Sequence, residues 1–479
     1  MNYRMVFSMI GRLLMLEAGL LLLPAACSAI YREDSVWSLL IAAGVALVLG
    51  GLLCLICRRK SQTIYAKEGF VIASLSWIFL SAVGALPFVL SGEIPHYVDA
   101  FFETVSGFTT TGASIVTDLG KMSHGILFWR SFTHWVGGMG VLVLMMALVP
   151  SGSGRTIHVM RAEVPGPIVG KLVPRLRDTA KILYLIYLAM TVIQWACLLA
   201  AGMDWFDALL ITFGTAGTGG FGLSTPVSDY TAAQQWIITV FMLLFGVNFN
   251  LYYLLLIRAF RPVATNRELW LYGGIFAVST GIIAANVMSV YDHVGEGIRH
   301  AAFQVASIVT TTGYATADFN LWPGLSRGLI FLLLFMGGCA GSTAGGLKVS
   351  RVMLLGKMVL RELKRLVHPR SVSVVQLEGK RVEETTVQST AAYFILYMAL
   401  IGFVFLVLSF EPTSLETDLT ATITCLNNVG PGLGEVGPFG GFSGYSDFST
   451  IVLSLTMLLG RLEIYPLLLT LLPGTWTKK

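Results

Sequence analysis

Charged side chains are scarce. Lys, Arg, Asp and Glu make up 12% of the 479 residues, about half the share of a soluble globular domain, while 55% are hydrophobic and the mean hydropathy is +0.74. That deficit excludes a water-soluble chain, and no stretch stays polar long enough for a separate soluble domain. Cysteine is equally uninformative as a staple. The six, at 27, 54, 57, 197, 339 and 425, lie in or beside apolar segments and form no disulfide framework. His124, His134, His158, His293, His300 and His368 show no ligand spacing, so no metal site is expected. Paired acids, His-rich motifs and a serine with a base are missing at membrane depth, which argues against an enzyme.

What is present is length in apolar runs, each able to supply the roughly 20 residues that cross a bilayer. Ten spans are expected, near 5–30, 37–57, 69–91, 125–149, 180–202, 236–257, 270–290, 326–360, 388–410 and 446–472. Between the third and fourth, fifth and sixth, seventh and eighth, and ninth and tenth lie half-apolar stretches too short to cross, which read as re-entrant. With the N-terminus placed inside, 26 of the 32 Lys and Arg fall on inner segments, so both termini are expected to be cytoplasmic. This membrane-set distribution accounts for the bases without a nucleic-acid partner. A cleaved leader over residues 1–30 competes for the first span, but Glu17 in its apolar core and Pro24 before Ala25-Ala26-Cys27 argue against it.

Self-comparison aligns four windows. They run from Glu103 through Thr110-Thr111-Gly112, from Leu210 through Gly217-Thr218-Gly219, from Gln304 through Thr311-Thr312-Gly313, and from Ala421 through Asn428-Val429-Gly430. Each follows a short helix-like stretch with acids at its start (Asp99 and Glu103; Asp204 and Asp207; Asp292 and Glu296; Glu416 and Asp418) and lies between two spans. The expected unit is span, half-helix, loop, span, four times over. Irregular backbone at membrane depth is tolerated only when buried in protein or lining a water-filled cavity, so four such loops imply one pore. Gly is free of the Cβ constraint, and carbonyl oxygens of such strands replace a cation's hydration shell. A half-helix ending there adds about half a negative charge, and acids facing outward raise the local cation concentration.

These residues resemble the membrane subunits of the Trk/Ktr potassium-uptake systems, over residues 68–479. The resemblance implies an all-α integral membrane fold, with pore repeats at 68–150, 175–262, 268–366 and 386–479 around one potassium-selective filter. Its filter glycines would be Gly112, Gly219, Gly313 and Gly430, preceded by Thr110 and Thr111, Gly217 and Thr218, Thr311 and Thr312, and Asn428 and Val429. The second window departs most, with Ala216 and Gly217 where the first and third have Thr. Residues 1–60 resemble the extra N-terminal span pair of the Trk branch. A homodimer with two separate pores is implied, with a cytoplasmic ring of Rossmann-type subunits that would carry NAD or ATP, leaving potassium as the only ligand of this chain.

The eighth span, 326–360, is too long for one crossing at 1.5 Å per residue. Its middle, 337–346, holds Gly337, Gly338, Gly341, Gly345 and Gly346, which predicts a break; close packing through small residues is the plainer alternative. Resemblance makes 337–348, ending at Lys348, a mobile gate loop below the filter. It likewise makes Arg461, midway down the last span, a pore barrier beside that loop; an arginine bonded to helix ends is the alternative. Beyond the break, Arg351, Lys357, Arg361, Lys364 and Arg365 form a basic helix, then a polar hairpin-like stretch. Three motifs are decoys: Gly217–Gly222 matches a dinucleotide fingerprint without a preceding strand, Cys54-x-x-Cys57 lies on an apolar helix, and the run before Lys348 lacks Gly-Lys-Ser/Thr. A sodium-permeable pore or an ion-coupled symporter is the rival function. Coupling needs an ionisable group in the pathway, and besides Arg461 and Glu463 only Glu17 qualifies.

Overall fold

The computed structural model describes residues 1–57, 66–140, 176–370, 374–377 and 380–476. The inner basic clusters at 58–65 and 155–175 and the end of the fourth expected span lie outside them. The described chain is helical throughout apart from one two-residue ladder, in which Gln376 pairs with Arg381 and Leu377 with Lys380, where a hairpin was expected.

In chain order the helices that matter are α1 (Tyr3–Leu20), α2 (Leu22–Tyr31), α3 (Ser35–Ile56), α4 (Ala66–Gly84), α5 (Tyr97–Phe108), α6 (His124–Gly138), α7 (Leu176–Ala200), α8 (Trp205–Gly217), α9 (Ala232–Phe245), α10 (Phe249–Leu256), α11 (Arg267–Val287), α12 (Val294–Val309), α13 (Gly324–Leu333), α14 (Val349–Val367), α15 (Glu384–Leu408), α16 (Leu415–Asn427), α17 (Asp447–Arg461) and α18 (Tyr465–Leu471). Six helices or continuous pairs are long and apolar enough to cross a membrane. Four of them, α3, α7, α11 and α15, bury only 28% of their apolar windows within the protein. Leu185, Ile193, Ile282, Ile395 and Phe403 stand exposed on them, the pattern of helices that face lipid. The span that contains α4 is 67% buried, because α1 and α3 pack over it.

The second spans of the second, third and fourth expected repeats are broken. α9 and α10 meet at 91°, where Asn248 turns the chain and caps Asn250 N at 2.9 Å. α13 stops at Leu333 and α14 resumes at Val349. α17 ends at Arg461, and Glu463 and Ile464 (φ 54° and 65°) break the tenth span before α18. The straight crossings expected at 236–257 and 446–472 are therefore corrected to broken ones. Apolar content set their length, while the breaks arise from single residues whose backbone contacts no hydropathy window records.

The N-terminal pair crosses through glycine. A Cβ on Gly11 would lie 2.7 Å from Gly50 O, and one on Gly50 would lie 2.6 Å from Gly11 O, so the two backbones touch. Gly50→Leu is expected to force α1 and α3 apart, at about 1–3 kcal/mol for overpacking. The apparent unfolding temperature of the purified protein should fall while its cation preference stays unchanged.

Candidate functional site

The four aligned windows end in one closed ring. α5, α8, α12 and α16 each terminate in a left-handed residue: Thr110 (φ 56°), Thr218 (57°), Thr311 (54°) and Asn428 (53°). The next N–H folds back onto the helix, Thr111 to Ser106 O at 2.9 Å, Gly219 to Gly214 O at 2.8 Å, Thr312 to Ser307 O at 2.8 Å and Val429 to Thr424 O at 2.9 Å, which satisfies helix-end carbonyls. One residue later comes a glycine with positive φ: Gly112 (78°), Gly220 (67°), Gly313 (86°) and Gly430 (95°). A Cβ on Gly112 would strike the carbonyl oxygen of Gly219; on Gly220, that of Thr312; on Gly313, that of Val429; and on Gly430, that of Thr111. The contacts run from the first window to the second, third, fourth and back to the first.

This geometry corrects the register of the second window. Gly220, not Gly219, occupies the position of Gly112, and Gly217 is the last residue of α8 rather than part of the turn. Letter matching set Thr218-Gly219 on Thr111-Gly112, but α8 continues one residue further. It can do so because Gly217 and Gly219 carry no side chain where His134 packs. A Cβ at Gly217 would meet His134 O, and one at Gly219 would enter the His134 ring.

Behind the ring the windows are held differently. Thr109 Oγ1 and Thr111 Oγ1 lie 2.8 Å apart, as do Thr310 Oγ1 and Thr312 Oγ1. The Asn428 amide donates to Thr111 Oγ1 and to Met457 O, both at 2.9 Å. On one side opens a cavity of about 470 Å³ lined by Gly112, Gly220, Gly313, Tyr314, Gly430 and Phe442 among others. Of the acids expected to face outward, Asp204, Asp292 and Glu416 are exposed, but Glu103 and Asp418 are buried. Glu103 pairs with Arg130 at 2.6 Å, and Asp418 accepts from Thr413 at 2.5 Å and Tyr445 at 3.1 Å. Those two serve structure rather than attraction of cations.

On the other side of the ring lies the loop between α13 and α14. Gly345 N donates to Thr311 Oγ1 at 2.7 Å, and a Cβ on Gly345 would lie 2.5 Å from Asn427 O. The remaining glycines fold the loop on itself and onto the α9–α10 bend. Gly337 N bonds Leu347 O at 2.9 Å, Val349 N bonds Gly338 O at 3.3 Å, and Phe249 N bonds Gly341 O at 3.1 Å. Gly341 and Gly346 take positive φ. Lys348 is buried and donates to Ala344 O.

Arg461 reaches across. Its Nη1 donates to Thr343 O at 3.0 Å and Thr110 Oγ1 at 3.2 Å, and its Nη2 to Gly137 O at 2.5 Å and Gly138 O at 2.7 Å. Arg461 is thus bonded both to the helix end at Gly137 and Gly138 and to the loop at Thr343. Two further carboxylates, whose partners the sequence does not indicate, hold the loop and the start of α14. Glu268 Oε1 accepts from Ala340 N at 2.8 Å and Ser350 N at 3.1 Å, while Glu463 forms a fork with Arg351 at 3.0 and 2.5 Å. A charge flanked by apolar residues is the signal that singles out Glu463; Glu268 reads only as the start of a span. Cys54 donates to Ser8 O at 3.6 Å, an ordinary helix contact.

Apolar spans enclosing a ring of four helix-end turns define an all-helical integral membrane protein. The chain belongs to the TrkH family: the family model, described as a cation transport protein, matches residues 39–268 and 275–474. It is 37% identical to the Trk system potassium uptake protein TrkH of Escherichia coli strain K12, over 99% of this chain and all of that protein. It is 35% identical to the protein of the same name from Halomonas elongata, over the whole of both. The crystal structure of the potassium transporter TrkH from Vibrio parahaemolyticus superposes with a TM-score of 0.90 at 33% identity, covering both chains completely. The likeness read in the windows and the N-terminal pair thus points to the right family, on its Trk side.

Proposed function

We propose that this chain carries potassium across the cytoplasmic membrane, inward, through a filter made by Thr110–Gly112, Thr218–Gly220, Thr311–Gly313 and Asn428–Gly430. The observation that carries the reading is the closed ring: four glycines, each against the carbonyl of the next window, at the carbonyl ends of four helices where negative partial charge collects. Curated relatives that match the whole chain are named potassium uptake proteins. Loop 337–348 and Arg461 act as the gate, because together they bond to two of the four windows, at Thr311 and Thr110, and press Gly345 against a third at Asn427 O. Potassium is the substrate, and this chain carries no nucleotide of its own.

Both termini face the cytoplasm in this reading, and the 68–150, 175–262, 268–366 and 386–479 segments are the four pore repeats of each protomer in a homodimer. α14 leaves the gate and runs to Val367, and a short ladder pairs Gln376 with Arg381 beyond it, more chain than a simple connection needs. A cytoplasmic ring binding NAD or ATP would pull on it. The sodium-permeable or coupled alternative is less favoured, because Glu463 is spent on Arg351 and Glu17 lies buried against Gly84 in the N-terminal extension.

The test is growth of a bacterium lacking its own potassium uptake at low potassium, with rubidium and sodium fluxes in vesicles alongside. Growth with rubidium flux far above sodium flux is expected; equal fluxes, or no growth despite insertion, would refute the reading. Adding the nucleotide-binding ring to the same vesicles should make flux respond to nucleotide, and an equal response without the ring would refute the division of labour.

A further inference from the structure

The second window lacks the paired threonines that back the first and third; its Thr218 Oγ1 bonds only its own neighbour, Gly217 O, at 2.6 Å. Its support comes instead from α6, an element of the preceding repeat. Arg130 and His134, four apart, lie on one face of that helix. The Arg130 guanidinium sits 3.7 Å from the centroid of the Phe221 ring, and the His134 ring lies 4.1 Å from the same ring. Arg130 Nη1 donates to Gly222 O at 2.8 Å. The residues on both sides of the Gly219–Gly220 pair are thereby held, and Gly219 itself rests on the His134 ring.

Each of these groups is fixed in turn. Arg130 Nε donates to Glu103 Oε1 at 2.6 Å, with both side chains at most 1% exposed, and its Nη2 donates to Ser114 Oγ at 3.0 Å. Glu103 also accepts from Ser114 Oγ and from Ile115 N, each at 3.0 Å. The strand leaving the first window is thus tied to the same charge pair. His134 Nδ1 bonds Gly107 O at 2.9 Å, so its Nδ1–H donates and the ring is set by α5. The third window uses a neutral local bond at the corresponding place, Gln304 Nε2 to Ala317 O at 3.2 Å, and the fourth a neutral bond from the residue before it, Thr420 Oγ1 to Leu433 O at 3.1 Å. A buried ion pair is costly to assemble and more costly to break on one side only, which suits it to fixing geometry rather than adding stability.

We propose that Arg130, held by Glu103, and His134 are positioning residues that fix Gly219–Gly222 through Phe221 and the Gly222 carbonyl, and thereby set the cation preference of the ring. The proposal rests on the reading of the ring as a potassium filter. It is tested by the ratio of rubidium to sodium flux per inserted protein in three variants. Phe221→Leu removes the stacked face. Arg130→Met with Glu103→Gln removes both buried charges together, leaving neither uncompensated, and frees the Gly222 carbonyl. Phe221→Tyr keeps the face and is the conservative control.

The first two should lower the ratio about tenfold, on the scale of a desolvated cation–π contact, and Phe221→Tyr should retain it. A wild-type ratio in Phe221→Leu, with flux falling only as the amount of inserted protein falls, would overturn the proposal, and would do so even if the double variant fails to insert. A wild-type protein that shows no preference at all would instead overturn the filter reading and this proposal with it, before any variant is compared.

Discussion

Gly220→Ala is expected to lower the preference for rubidium over sodium about tenfold or more, with insertion intact. Two effects act together on that residue. Its φ of 67° is left-handed, which costs an L side chain about 1–2 kcal/mol, and a factor of ten corresponds to about 1.4 kcal/mol. The added methyl also points at the Thr312 carbonyl, a backbone group of the neighbouring window that cannot rotate away as a side chain can. Relief requires the second window to move against the third, which changes the spacing of the carbonyls a cation would meet. Gly297→Ala is the matched control, since in α12 an added methyl meets nothing nearer than 3.7 Å. The measurement is the ratio of rubidium to sodium flux in vesicles, per inserted protein. A ratio unchanged at Gly220 but lost at Gly112 and Gly313 would exclude the second window from the ring.

That experiment also marks where the sequence stops being informative. Three ring glycines, Gly112, Gly313 and Gly430, are legible because letter matching of the windows places each at its ring position. The fourth is displaced by one, since whether α8 stops at Ala216 or Gly217 depends on the ring of His134, which comes from α6. The broken eighth span is legible in the same local way, through its five glycines. The breaks at 246–248 and 462–464 are not, because Asn248, Glu463 and Ile464 are ordinary residues that lie beside contacts with distant partners. Phe249 N bonds Gly341 O, and Glu463 takes its fork from Arg351. Hydropathy reports which segments leave water, but a polar partner more than 90 residues away leaves no periodic trace. Glu103 shows the same limit: the windows read it as an acid at a helix start, but it stands in the middle of α5, and only the fold reveals that Arg130 turns it inward.

Arg461→Ala is expected to raise cation flux through the unpartnered protein, because the guanidinium is both a charge below the ring and the tie that holds the loop. At 4 Å and an effective dielectric near 20 a unit charge repels a cation by about 4 kcal/mol. Half of that, about 2 kcal/mol after screening by water, is still roughly thirtyfold in occupancy. The same side chain bonds Thr343 O in the loop and Gly137 O and Gly138 O at the end of α6, so its loss frees the loop from the opposite wall. Some stability goes with it, since hydrogen bonds to a charged group contribute about 1.5–3 kcal/mol each, and flux must be read per folded protein. Arg461→Lys separates the two roles. An ammonium keeps the charge but lacks the planar fork that reaches Thr343 and the α6 carbonyls together. If the tie matters, the lysine variant leaks between wild type and alanine; if charge alone closes the pore, it stays closed. Alanine at wild-type flux, in protein shown to be folded, would remove Arg461 from the gate altogether.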